Sequence, residues 1–235
     1  MTVEFLWGGR AQPTRGPKPS LSLDRIAAVA IAVADAEGLA AVSMQRVAAD
    51  LGYTKMSLYR YLPGKAELVA VMVERALGEP PVLPTGDWRE SLTRWTRLLM
   101  DGFMRHPWSL AATVGARPLG PHELAWMECA LAVLAGTPLT GAERLDAMVV
   151  LVGHARMLAE QATSRDPEAQ LSAAIAAVIQ QHGDRFPHLA GAMGEAAAAG
   201  GQDQAFDFGL ARILDGLEAL IHSRGGGTVA TNRPE

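Results

Sequence analysis

Between Ser43 and Pro63 the chain has room for only two very short helices. Ser43 is a preferred N-cap, Met44, Val47, Ala48 and Leu51 recur at helical spacing, and Gly52 stops that run. Thr54 caps a second helix, predicted over Lys55 to Tyr61, and Pro63-Gly64 breaks the chain again. The connection is Gly52-Tyr53-Thr54. Helix, short glycine-containing turn, helix is the form of a helix-turn-helix. A preceding helix completes the unit: Ser22 caps it, Ile26, Val29, Ala30, Val33 and Ala34 share a face, and Gly38 ends it. Ala48 is small where the helices must cross closely, and Val47, Leu51 and Leu58 can pack them onto that first helix.

Outward, the second helix is left with Lys55, Met56, Ser57, Tyr59, Arg60 and Tyr61. Cations meet phosphates or guanine, hydroxyls meet phosphates, and apolar surface meets thymine methyls, so this set suits a helix lying in a DNA groove. A solvated face on an ordinary helical turn would satisfy the same pattern. Charge distribution favours the first reading. The net charge is −4, yet residues 1–65 hold eight basic against five acidic side chains, a balance of +3, which leaves −7 for the rest. A basic head on an acidic body fits a DNA-contacting module carried by a larger domain.

Elsewhere the pattern is helical throughout, with no strand periodicity, repeat or heptad. Helices are expected at 65–77, 88–105, 107–115, 122–135, 141–164, 167–181 and 204–223, with a loose stretch at 183–204 that has room for a short helix. The expected class is therefore all-α. A flexible basic tail (1–20, with Arg10, Arg15 and Lys18) precedes a three-helix head at 21–77. The proline- and glycine-bearing segment 78–86 leads into a larger helical domain at 87–223, and a glycine-rich tail follows at 224–235.

The stretch from Gly38 to Leu68, above all Leu58-Tyr59-Arg60-Tyr61-Leu62 followed by Gly64-Lys65-Ala66-Glu67-Leu68, resembles the DNA-binding region of the tetracycline-repressor (TetR) family. The likeness covers about residues 25–70. It implies phosphate contacts by Tyr59 and Lys65, groove contacts by Gln45, Lys55, Met56, Ser57 and Arg60, and phosphate-touching caps at Ser43 and Thr54. Tyr61 stands where the family often has His and keeps a phosphate-bonding hydroxyl. Gly115-Ala116-Arg117-Pro118, Gly153-His154 and Phe208-Gly209-Leu210 through Gly216-Leu217 resemble the family's ligand domain more diffusely. By that resemblance the partners are operator DNA, a small-molecule effector and a second copy of the chain, docked through helices at about 141–164 and 204–223. The apolar stripe Leu210, Ile213, Leu214, Leu217, Leu220 and Ile221 could serve that interface or the chain's own core.

Tetracycline-binding members use a histidine shortly before the Gly-x-Arg-Pro segment to hold magnesium, and this chain has Thr113-Val114 there. An apolar or amphipathic effector without metal is expected instead. The candidate pocket residues are Trp95, Phe103, Leu110, Thr113, Trp126, Met127, Leu151, His154 and Met157, large apolar groups with a few polar ones.

No cofactor or enzymatic chemistry is expected. The histidines at 106, 122, 154, 182, 188 and 222 never pair at helical spacing, and no nucleophile motif occurs. Cys129, the single cysteine, sits among apolar residues and reads as structural. One cysteine, no leader-like N-terminus and no long apolar run fit a reduced, cytoplasmic setting away from membranes. The competing reading is a helical ligand-sequestering or partner-binding protein whose head no longer binds DNA.

Overall fold

A computed structural model describes residues 4–8, 21–163, 167–199 and 204–225. Among them there is no strand. The elements are α1 (Leu23–Glu37), α2 (Met44–Leu51), α3 (Lys55–Tyr59), α4 (Lys65–Leu77), α5 (Trp88–Arg105), α6 (Trp108–Ala112), α7 (Pro121–Leu134), α8 (Gly141–Thr163), α9 (Pro167–His182), α10 (Pro187–Ala198) and α11 (Ala205–Gly225). The expected caps are present: the Ser22 and Ser43 hydroxyls accept from the Arg25 and Arg46 amides at 3.2 and 3.1 Å. One expectation shifts. Helix α3 ends at Tyr59, because the Tyr61 and Leu62 amides both fold back onto the Leu58 carbonyl. The short helix for which the loose stretch has room is α10, opened by Pro187 at a first-turn position where its missing N–H costs nothing.

Two apolar clusters organise the chain. The first joins Ile26, Ala30 and Val33 of α1 to Val47 and Leu51 of α2, Leu58 of α3, and Leu68 and Met72 of α4. Trp108 and Ala112 of α6 belong to this same cluster, so the body reaches into the head. The second cluster joins Leu92 and Trp95 of α5, Trp126 and Leu134 of α7, Met148 and Leu151 of α8, and Leu210 and Leu214 of α11. Leu210 and Leu214 thus serve the chain's own core.

The expected mobile tail needs correction in part. Residues 4–8 form a turn in which Phe5 and Leu6 pack against the head's core and the Trp7 indole donates to the Leu119 carbonyl at 3.2 Å. Arg10, Arg15, Lys18 and the tail beyond Gly225 lie outside the described residues.

Helix α8 begins with a capping box. The Glu143 carboxylate accepts from the Thr140 amide at 2.8 Å, and the Glu143 amide donates to the Thr140 hydroxyl at 3.3 Å. The same carboxylate binds Arg224 at the end of α11, fastening the two helices. The Thr140 amide, then the Arg224 guanidinium and the Thr140 hydroxyl, hold its pKa down to about 2. A depressed carboxylate stabilises the fold above its ordinary value and stops doing so as pH falls through the folded-state value. Wild type should therefore lose stability relative to Glu143→Gln as pH falls from about 4.5 to about 2. Asp215, held down by Arg89, and Glu37, held down by Arg46, titrate in the same sense in both proteins. Hence the difference between the two urea-midpoint profiles is the measurement. Parallel profiles would show that the box contributes nothing.

Candidate DNA-binding face and effector cavity

Gly52 makes the turn between α2 and α3. It sits at φ 77°, ψ 27°, a left-handed conformation that side chains resist, and its amide closes onto Ala49 while Tyr53 closes onto Ala48. Beneath the turn Leu58 and Leu62 are fully buried. Above it Gln45, Thr54, Lys55, Met56, Tyr59 and Arg60 are exposed and Ser57 is half-buried. Met56 is 71% exposed, an apolar tip on a polar surface. The Lys55 ammonium lies 5.5 Å from the centre of the Tyr59 ring, which gathers cation and phenol on one side of α3. Lys65, also exposed, opens α4 and reaches the Leu39 carbonyl at 3.4 Å. Arg46 is turned to internal work, bridging Glu37 at 2.7 Å and Asp50 at 2.9 Å.

A half-open cavity of about 540 Å³ lies between α4 and the body. Its walls come from α4 (Val73, Ala76, Leu77), α5 (Trp95, Leu99, Phe103), α7 (Trp126, Met127) and α8 (Met148, Val149, Val152, Gly153). One side is polar. Arg117 and Glu123 form a two-pronged pair there, and Arg156 of α8 lies 5.4 Å over the Phe103 ring while donating to Thr113 Oγ1 and the Leu110 carbonyl.

Two polar links tie this cavity to the head. Glu74 of α4 is 3% exposed. Its carboxyl oxygens accept the His122 and Glu123 amides at 2.9 and 3.1 Å, capping the N-terminus of α7, while His122 Nδ1 lies 3.0 Å from the Glu74 carbonyl. The approach is so close that a Cβ on Gly120 would collide with the Glu74 side chain. The second link is Asp35 of α1. Its Oδ1 accepts from the Trp108 indole at 2.7 Å and lies 2.8 Å from Nδ1 of the cavity residue His106.

Residues 26–72 match the family described as bacterial regulatory proteins, tetR family, and residues 80–221 match the tetracyclin repressor-like C-terminal domain. The chain belongs to the TetR family. It is 39% identical over 96% of its length, and 87% of the relative's, to the HTH-type transcriptional repressor DrrR1 of Streptomyces coeruleorubidus. A HTH-type transcriptional regulator of Saccharopolyspora erythraea is 30% identical over 86% of each chain. Among solved structures, ActR of Streptomyces coelicolor in complex with actinorhodin superposes with a TM-score of 0.73 at 26% identity, covering 91% of this chain and all of that one. The protein is a DNA-binding, ligand-responsive transcriptional regulator of the repressor type. Its family binds operator DNA as dimers and responds to small molecules.

This TetR-family chain brings some of the expected pocket residues together and not others. Trp95, Phe103, Thr113, Trp126 and Met127 line the cavity. Leu110 contributes only a carbonyl to Arg156. Leu151 is fully buried in the body's core, His154 Nε2 lies 2.9 Å from the Phe206 carbonyl with its ring stacked on Phe206, and Met157 is 52% exposed. The physical reason is helical phase. On α8 the cavity stripe is 148, 149, 152, 153 and 156, whereas 151 and 154 face the core and α11. Sequence reasoning missed Arg117, Glu123 and Arg156 as wall residues, although Arg117 with Glu123 six positions on was a readable cue.

The head has two corrections. Thr54 stands at the N-cap of α3, but its hydroxyl pairs with the Ser57 hydroxyl at 3.0 Å and caps no amide. Tyr61 turns inward: its hydroxyl donates to the Leu21 carbonyl at 2.9 Å, which occupies the group expected to meet phosphate. Cys129 donates its thiol to the Pro81 carbonyl at 3.5 Å, and burial pushes its pKa up. No helix among the described residues is long and apolar enough to cross a membrane.

Proposed function

We propose that residues 21–77 bind operator DNA, that residues 87–223 take an amphipathic effector in the α4–α8 cavity, and that the effector releases the DNA by moving α4. The observation that carries this is the sharing of α4. Its last turns line the cavity through Val73, Ala76 and Leu77, its Glu74 caps α7 beside Glu123, and its exposed Lys65 end follows directly on α3. A ligand that displaces the Arg117–Glu123 pair or His106 bears directly on Glu74 or Asp35. Ligand affinity must then differ between the DNA-bound and released forms, as a switch requires.

Ser43, Gln45, Lys55, Met56, Ser57, Tyr59, Arg60 and Lys65 are the DNA-contacting set in this reading. The dimer forms through α8 and α11. Leu145, Val150 and Met157 of α8 and Phe208 of α11 are large apolar side chains left exposed in the single chain, and burying them against a second copy accounts for them. Two recognition helices then enter grooves one helical turn apart, so a small change in head spacing decides binding. No reaction is assigned to the protein.

The test is a footprint on the DNA beside the protein's own gene. Protection of a palindrome at low salt is expected, and no protection would favour the ligand-sequestering reading. Tyr59→Ala with Lys65→Ala should weaken binding to all sequences and flatten the log–log salt slope by about one, the loss of one cationic phosphate contact. An unchanged slope places Lys65 off the backbone.

A further inference from the structure

The cavity's polar side is unbalanced, and the imbalance specifies its ligand. Among the described residues that line it, Glu123 is the one carboxylate, and Arg117 occupies both its oxygens. That pair cancels. Arg156 remains, with a hydroxyl, a carbonyl and an aromatic face as partners and no described carboxylate within 4 Å. A guanidinium beside an apolar wall favours an anion, and its fork suits two oxygens at once. Arg117 Nε is buried without a hydrogen-bond partner, so it is closed off from the cavity and Arg156 alone offers an uncompensated charge there.

The apolar side sets the shape. Trp95 and Trp126 lie 6.3 Å apart with their planes tilted by 52°. Both indole N–H groups are committed, to the carbonyls of Trp126 and Gly78 at 3.1 and 3.2 Å, so the rings present faces and edges rather than donors. Such surfaces take aromatic ligands well, and flanking Met127 and Met148 can adapt to a ring system.

Building on the effector reading above, we propose that the effector is a planar aromatic oxyanion, a carboxylate or ionised phenol held by Arg156.

Full-length protein loaded with the neutral dye Nile red tests this. Anthraquinone-2-carboxylate and anthraquinone-2-carboxamide compete for the dye, one anionic and one neutral on the same rings. The carboxylate should displace it at a concentration at least about tenfold lower, the size of one charge-assisted hydrogen bond. In Arg156→Met that preference, a ratio of two competitors in which any change in dye affinity cancels, should fall within about threefold, and Arg156→Lys should keep part of it. Equal displacement in wild type, or a preference that survives Arg156→Met, overturns the oxyanion assignment and leaves the cavity's effector role standing. Dye binding that is absent, or indifferent to a filling Val152→Trp change, overturns the effector reading itself. If Arg156→Met fails to fold by circular dichroism, the Arg156→Lys comparison decides.

Discussion

Glu74→Ala should yield a protein that still binds an effector and still binds operator DNA but no longer connects the two. Removing the carboxyl leaves the His122 and Glu123 amides without acceptors at the half-buried start of α7. Each such loss costs about 1–3 kcal/mol, so destabilisation of about 2–4 kcal/mol is expected. The more telling readout is functional. The effector concentration that halves operator binding should rise at least about tenfold, while ligand affinity in the absence of DNA changes little, since a coupling of 1–3 kcal/mol is what allostery usually supplies. Glu74→Gln keeps one acceptor and should fall between. Gly120→Ala reaches the same contact from the other side, because the added methyl must push Glu74 away. Two variants on different elements with one shared defect would locate the coupling. Normal release in both would relocate it to the Asp35–His106 link.

The second large effect belongs to the head. Leu58→Ala should destabilise by about 3 kcal/mol, the middle of the range for a buried leucine whose neighbours cannot fully collapse. Leu58 is fully buried among α1, α2 and α4, and it carries α3, whose five residues cannot hold a helix alone. Operator binding should be lost at growth temperature. Dye binding in the α4–α8 cavity should weaken without being lost, because its α5, α7 and α8 walls belong to the body's separate cluster while its α4 wall packs on Leu58. A melt followed by both DNA binding and cavity fluorescence would show two transitions in the variant. A single transition, with both lost together, would mean that Trp108 and Ala112 weld head and body into one cooperative unit.

The head was legible in the sequence because its signals are local. A cap, a short apolar stripe and a glycine stop each act within one or two turns, so Ser22, Ser43, Gly52 and Leu58 could be placed without knowing anything distant. Tyr61 defied that reasoning for the opposite reason: its hydroxyl partner, the Leu21 carbonyl, lies forty positions away. The cavity was half-legible. Aromatic residues in α5 and α7 announced themselves by size, but over 147–159 of α8 every position except His154 and Arg156 is apolar or small. Periodicity then gives no phase, and 151, 154 and 157 were as plausible as 149, 152 and 156. Glu74 gave no warning at all. An acid within an apolar helix reads as a solvated face until the helix that it caps is brought against it.

The shared wall on α4 carries a further obligation. Coupling through one element is reciprocal, so whatever factor the effector takes from operator affinity, the operator takes from effector affinity. Molecules already seated on DNA are therefore the least sensitive members of the population, and unbound ones fill first. The threshold at which a promoter opens then depends on how many copies the cell holds in reserve as well as on the cavity's own dissociation constant. Making more of the protein raises that threshold without altering a single side chain.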